Sequence, residues 1–169
     1  MPDWAAVAVD ALVLCSALGI VILGSLAYNP RLWLNDAPPR ARALAPPLND
    51  VERRDRNIVA ALFLLALVLP TVWSAMRLVR RYGQTLSFGA AFGHYLGVFF
   101  LFNLFDLLII DWLVLLVLKP AFLSRLSVPG LTYEETVGGY RYHFTAFLKG
   151  MGFIFAFSLL AAAATYFVA

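Results

Sequence analysis

The chain has 169 residues, of which 62% are hydrophobic and only 14% are charged, and its formal net charge is +3. Soluble globular domains are about half apolar and a quarter charged, so this composition excludes that class. It also excludes a disordered chain, because disorder requires low hydrophobicity and high charge. The sequence therefore predicts an integral membrane protein.

Four apolar segments are long enough to cross a bilayer, since a helix needs about 20 residues to span about 30 Å of hydrocarbon. They cover residues 4–28, 57–79, 88–118 and 145–168. The segments do not alternate between polar and apolar residues, as the strands of a membrane β-barrel do. The predicted fold is therefore all-α: a polytopic membrane protein with four transmembrane helices in an antiparallel bundle, forming one membrane domain over residues 1–169.

The basic residues are distributed unequally, and this predicts the orientation of the chain. Ten of the 13 lysines and arginines lie in or beside the loops 29–56 and 119–144, and three lie on the opposite side. The ten are Arg31, Arg40, Arg42, Arg53, Arg54, Arg56, Lys119, Arg125, Arg141 and Lys149, against Arg77, Arg80 and Arg81. Because positively charged loops stay in the cytoplasm, we expect a multi-pass protein of the bacterial inner membrane with both loops cytoplasmic and both termini outside. Basic residues at helix ends favour anionic lipid headgroups as partners and give no support to nucleic-acid binding.

The loop 29–56 is rich in proline and arginine. Its paired prolines restrict the backbone and predict a stiff lid on the membrane surface, with a docking surface for a partner protein as the alternative. Asn49 followed by Glu52 is typical of a capping box, so the second helix is predicted to begin near Asp50 and to extend about two turns beyond the bilayer.

Three short parts of the chain form a recognisable set: Tyr28-Asn29-Pro30-Arg31-Leu32-Trp33-Leu34, Phe102-Asn103-Leu104-Phe105-Asp106, and Tyr142-His143-Phe144 with Phe147-Leu148-Lys149-Gly150. In these stretches the chain resembles a family of uncharacterised four-helix bacterial membrane proteins. The resemblance implies the same four-helix topology and carries no activity with it.

The third apolar segment, residues 88–118, contains three glycines spaced four residues apart: Gly89, Gly93 and Gly97. This spacing places them along one face, and small residues let a second backbone approach closely in lipid. The favoured interpretation is a packing face inside the bundle, for which the alanines at 161–164 offer a second smooth surface. The alternative is an interface in a homo-oligomer or with a partner in a membrane complex.

The same segment carries three polar residues, of which Asp111 is expected at the headgroups and Asp106 and Asn103 deeper in the membrane. At 100° per residue, Asn103 and Asp106 lie about 60° apart, whereas Asp111 lies about 140° from Asp106. Lys149 of the fourth segment should lie at a depth similar to that of Asp106, so we expect the two to form an ion pair, bridged by Asn103. The pair is interpreted either as a contact that fixes helix packing or as a protonatable site.

Asp10 and His94 form a second candidate pair, in the outer half of the membrane between the first and third segments. A lone membrane histidine is more often a hydrogen-bonded bundle residue than a ligand. The sequence has no H-x-x-x-H or similar spacing, so no metal site is predicted.

The sequence contains no G-x-S-x-G, Walker, Rossmann, C-x-x-C or H-E-x-x-H motif, so no catalytic or cofactor-binding residue is assigned. The prediction is a non-catalytic helix-packing protein, either a self-associating bundle or an accessory subunit of a larger membrane complex. Proton or cation translocation through Asn103 and Asp106 is the first alternative. A lipid-modifying enzyme that holds a headgroup with Asp111 and Arg141 is the second, although the different directions of Asp106 and Asp111 count against it.

Overall fold

The computed structural model describes residues 3–169, so the first two residues of the domain predicted over 1–169 lie outside the described residues. The described part is helical and contains no β-strand. Its α-helices are α1 (Trp4–Tyr28), α2 (Pro39–Leu44), α3 (Asp50–Tyr82), α4 (Phe88–Phe105), α5 (Tyr133–Val137) and α6 (Tyr140–Val168). Short 3₁₀ helices cover Pro30–Asp36, Gly83–Thr85 and Ala121–Leu126, and a π-helix covers Asp106–Leu118.

Four helical stretches are long and apolar enough to cross a membrane: Trp4–Tyr28, Asp50–Thr85, Phe88–Leu118 and Tyr133–Val168. This confirms the all-α class with four membrane-crossing helices. The first and third stretches have the predicted bounds. The second extends beyond its apolar run at both ends and the fourth at its start, because polar residues there continue the helix.

Side chains cap the first turns of α1 and α3. The carboxylate of Asp3 accepts hydrogen bonds from the backbone N–H groups of Ala5 and Ala6, at 3.0 and 3.3 Å. At α3, the N–H of Asn49 donates to Oε2 of Glu52 and the N–H of Glu52 donates to Oδ1 of Asn49, both at 2.9 Å. This is the predicted capping box, and it explains why α3 begins at Asp50.

The chain divides into two compact units, each made of segments that are distant in sequence. The first unit contains the chain up to Leu18, Leu65–Phe105 and Phe147–Ala169. The second contains Gly19–Leu64 and Asp106–Ala146. Parts of all four membrane-crossing stretches therefore contribute to the first unit.

In the first unit, the contacts between side chains define the directions of neighbouring helices. Asp3 pairs with Arg81 at 2.6 Å, and Asp10 accepts a hydrogen bond from Ser74, so α1 and α3 run antiparallel. Tyr95 and Thr165 are joined by a hydrogen bond of 2.7 Å between their hydroxyls, near the start of α4 and the end of α6. The other end of α4 contacts the start of α6, so these two helices also run antiparallel.

In the second unit, the two long loops fold onto a shared apolar core. Leu34, Leu116, Leu126 and Val137 are buried together, and Trp112 packs against them. An ion pair of 2.9 Å between Arg40 and Glu135 joins α2 to α5. The first loop is thus ordered and packs against the second, whereas its role as a lid on the membrane surface stays a prediction.

The C-terminal part of the third membrane-crossing stretch departs from α-helical geometry. From Asp106 to Leu118 it is a π-helix, whose hydrogen bonds join residues five apart rather than four. The N–H of Lys119 continues this pattern by donating to the carbonyl of Val114 at 3.0 Å. The angle of about 140° between Asp106 and Asp111 assumed an α-helix and does not apply, because the wider turn brings residues five apart towards a common side.

The glycines of α4 differ in what surrounds them. A Cβ atom added to Gly97 would lie 2.8 Å from Cγ1 of Val7, so α1 approaches α4 closely at this point. A Cβ added to Gly89 would have nothing within 4 Å. Of these two glycines, only Gly97 therefore permits a close contact with α1.

We expect Gly97→Ala to lower the free energy of unfolding by about 1 kcal/mol. Overpacking against the stiff side chain of Val7 costs about 1 to 3 kcal/mol, and the better helix propensity of alanine offsets about 0.5 to 1 kcal/mol of it. Gly89→Ala is the matched control and should cause no loss. Chemical unfolding in detergent, followed by circular dichroism, measures both, and equal effects of the two substitutions would contradict the close contact.

Candidate functional site

A buried polar cluster in the first unit joins three helices around Asp10. Oδ2 of Asp10 accepts a hydrogen bond from the hydroxyl of Ser74 at 2.5 Å and lies 3.0 Å from Nε2 of His94. Oδ1 accepts a hydrogen bond from Nη1 of Arg77. Asp10, Ser74 and His94 expose only 3%, 2% and 1% of their surfaces. We call these four residues the Asp10 cluster.

Three helices, α1, α3 and α4, supply the side chains of the Asp10 cluster. Ser74 and Arg77 are three residues apart on α3, so both side chains project from the same face towards α1. Asp10 projects from α1, and His94 projects from α4. The outer pair suggested by the sequence, Asp10 and His94, is thus brought into contact, and α3 supplies two further members of the cluster.

His94 is the least satisfied member of the cluster. Its Nε2 faces Oδ2 of Asp10 and lies 2.9 Å from the hydroxyl of Ser74, an arrangement that favours a proton on Nε2. Its Nδ1 is buried and has no hydrogen-bond partner among the described residues. A cavity of about 140 Å³ extends from Asp3 and the start of α4 to His94.

Asn103 joins α4 to α6 in the first unit. Its Nδ2 donates to the backbone carbonyl of Phe147 at 3.1 Å and lies 3.8 Å from Sδ of Met151. A Cβ on Gly150 would lie 2.9 Å from Oδ1 of Asn103, so the glycine permits this close approach. The polar group of Asn103 is therefore occupied by a helix-packing contact.

Asp106 belongs to the second unit and Lys149 to the first, and their ion pair stays a prediction. Lys149 is exposed. Within its own unit, Asp106 makes no hydrogen bond or ion pair with a described residue, but it lies in electrostatic range of Asp111 and His143. The predicted cluster of Asn103, Asp106, Lys149 and Asp111 is thus divided between the units.

Asp111 has a partner that the sequence did not suggest. Its Oδ2 lies 3.0 Å from Nδ1 of His143, and both side chains are largely buried. Nε2 of His143 is buried without a partner among the described residues. Nearby, the hydroxyl of Tyr142 donates to the backbone carbonyl of Asp36 at 2.8 Å. This group ties the first loop to the start of α6.

The carboxyl of Asp36, in the first loop, has a perturbed acidity. Loss of hydration raises the pKa of Asp36, the charge of Asp111 raises it further, and the guanidinium of Arg42 acts in the opposite direction. Carboxylates at positions 36, 106 and 111 therefore lie in one region of the second unit. The described residues contain no group of three or more His, Cys, Asp or Glu side chains arranged to hold a metal ion.

Sequence reasoning missed Ser74, Arg77 and His143 as members of polar clusters. The i, i+3 spacing of Ser74 and Arg77 was a usable signal, because it places a hydroxyl and a cation on one face of an apolar helix. His143 lies inside one of the stretches that carry the family resemblance, but its position before the apolar run gave no sign of a buried partner.

Comparisons with models of known protein families, with curated proteins and with solved structures found no match. The function is therefore argued from the geometry of the polar clusters.

We expect Asp10→Asn to destabilise the protein by about 3 kcal/mol, because removing one partner of a buried ion pair costs about 3 to 5 kcal/mol and Arg77 retains some access to water. Asp3→Asn is the matched control. It removes the same charge from a pair between the same two helices, keeps the helix cap, and should cause a smaller loss than Asp10→Asn because that pair is more exposed. Unfolding in detergent measures both, and a smaller loss for Asp10→Asn than for Asp3→Asn would refute the proposed importance of the buried cluster.

Proposed function

We propose that this chain is a non-catalytic helix-packing protein of a membrane, acting as a self-associating bundle or as an accessory subunit of a larger complex. The observation that carries the proposal is that both oxygens of the Asp10 carboxylate have hydrogen-bond partners within the protein. Arg77, Ser74 and His94, from two other helices, occupy both of its oxygens. A carboxylate held in this way fixes the positions of three helices and presents no free oxygen to a passing ion.

Asn103 supports the same proposal from the other side of α4. Its amide contacts the backbone of α6 where Gly150 allows close approach. Interhelical hydrogen bonds of this kind contribute about 0.6 kcal/mol each on average in membrane proteins. Together with the Asp10 cluster, this contact ties α4 to the helices on either side of it.

A surface for further subunits or lipid is available on α3. Only 11% of its most apolar stretch is buried within the chain. Large side chains such as Leu64, Leu65 and Leu69 are more than half exposed. An accessory subunit needs an apolar surface of this kind in the plane of the membrane, and lipid would cover it equally well in a free bundle.

Proton transfer is the second candidate, and a specific observation favours it. Ionisable residues inside membranes often belong to proton pathways. His94 is buried next to Asp10, keeps Nδ1 without a partner, and borders the cavity of about 140 Å³. A lipid-modifying enzyme has less support, since Asp111 is paired with His143 and Arg141 is exposed.

A flux measurement separates the two leading candidates. We expect vesicles that contain the purified protein and a trapped pH-sensitive dye to show no proton flux above empty vesicles when a pH gradient is imposed. Asp10→Asn should leave this baseline unchanged while lowering stability. A flux that disappears in His94→Gln, in a variant of unchanged stability, would reject the packing proposal in favour of proton transfer.

The oligomeric part of the proposal has its own test. Native mass spectrometry of the tagged chain, extracted from its own membrane with a mild detergent, should show it mainly in a complex of fixed stoichiometry. That complex contains either further copies of the chain or a second protein. A chain that is monomeric at all detergent concentrations would contradict this part.

A further inference from the structure

A second cavity lies in the loop layer of the second unit and has a different chemistry from the cavity at His94. Its volume is about 270 Å³, and three arginines line it: Arg42, Arg53 and Arg56. No acidic side chain lines this cavity among the described residues. We call it the arginine pocket.

The framework of the arginine pocket is rigidly held. Arg31 donates from Nε to Oε1 of Glu52 at 2.8 Å and from Nη2 to the carbonyl of Pro46 at 3.0 Å. Glu52 is also part of the capping box at the start of α3. The proline-rich segment is thereby fastened to α3 beside the pocket.

The three arginines differ in how much of their charge is already neutralised. Arg53 forms an exposed ion pair with Asp50. Nη1 of Arg42 donates only to the carbonyl of Asn35, at 3.3 Å. The side chain of Arg56 is half-buried and makes no hydrogen bond or ion pair with any described residue. Arg42 and Arg56 therefore form no ion pair, although the charge of Arg42 also acts on the nearby carboxyl of Asp36.

The location of the pocket indicates where its ligand comes from. Arg56 immediately precedes the apolar run 57–79 of α3, so the pocket lies where this helix meets the headgroup layer. Leu32, Leu34 and Leu48 provide an apolar part of the lining beside the arginines. A ligand that is anionic at one end and apolar at the other matches this arrangement.

From these observations we propose that the arginine pocket binds the phosphate of an anionic phospholipid headgroup, with Arg42 and Arg56 as its main donors. The guanidinium fork suits phosphate oxygens, which it can contact through two parallel hydrogen bonds. The volume of about 270 Å³ leaves room for a phosphate with a small polar alcohol. This site is independent of the helix-packing function proposed above.

The test measures the thermal unfolding of the full chain in an uncharged detergent while lipid is titrated. We expect phosphatidylglycerol to raise the midpoint temperature saturably, and phosphatidylcholine to have little effect because its headgroup carries no net charge. Inorganic phosphate at the same concentration should also have little effect. An equal rise with phosphatidylcholine, or a full rise with inorganic phosphate alone, would overturn the assignment to an anionic lipid.

Variants locate the binding site. Arg56→Gln and Arg42→Gln should each weaken the apparent affinity for phosphatidylglycerol at least tenfold. The matched control is Arg54→Gln, which removes the same charge from the same helix turn. Arg54 suits this purpose because it pairs with Asp55 and does not line the pocket. An equal loss for Arg54→Gln would show only a general electrostatic attraction and would refute the site.

Two further measurements keep this test decisive if a glutamine variant folds poorly. Arg56→Lys retains the charge but loses the planar fork, so we expect an affinity between those of the wild type and Arg56→Gln. The unfolding midpoint of each variant without lipid should match that of the wild type. An Arg56→Lys protein that folds normally and binds phosphatidylglycerol as tightly as the wild type would exclude a specific guanidinium–phosphate contact.

Discussion

The absence of water from the hydrocarbon layer is the constraint on which this structure depends. A charged or polar group there has to find its partners within the protein, since lipid offers none. Asp10 shows the result, because its carboxylate draws a hydroxyl, a guanidinium and an imidazole from two other helices to one point. Apolar contacts alone would leave the rotation of these helices poorly defined, because a leucine packs about as well against lipid as against another leucine.

The sequence predicted the features that depend on local chemistry. Composition and run length gave the four crossings, and the pairing of Asn49 with Glu52 gave the start of α3 to the residue. Contacts between helices were harder to predict, because they depend on the rotation and vertical offset of each helix. For this reason the sequence indicates Asp10 and His94 only as a candidate pair and does not connect Ser74 with them. The π-helix after Phe105 was also missed, since no residue pattern in that stretch distinguishes it from an α-helix.

The two units use polar groups in different ways. In the first, Asp10, Ser74 and His94 are buried and directed at one another, which suits a role in holding helices together. In the second, ion pairs such as Arg31 with Glu52 and Arg40 with Glu135 fasten loops at the edge of the apolar runs, and some arginines are left over. Surplus positive charge beside the start of a membrane helix is the arrangement that attracts anionic lipid.

The π-helix also affects how well the third crossing matches the thickness of a bilayer. As an uninterrupted α-helix, its 31 residues would measure about 46 Å, well beyond the roughly 30 Å of hydrocarbon that they traverse. A π-helix has a smaller rise per residue than an α-helix, so the thirteen residues from Asp106 to Leu118 make the helix shorter while keeping the same number of side chains. A smaller part of the excess length then has to be absorbed by leaning the helix or by thickening the surrounding lipid.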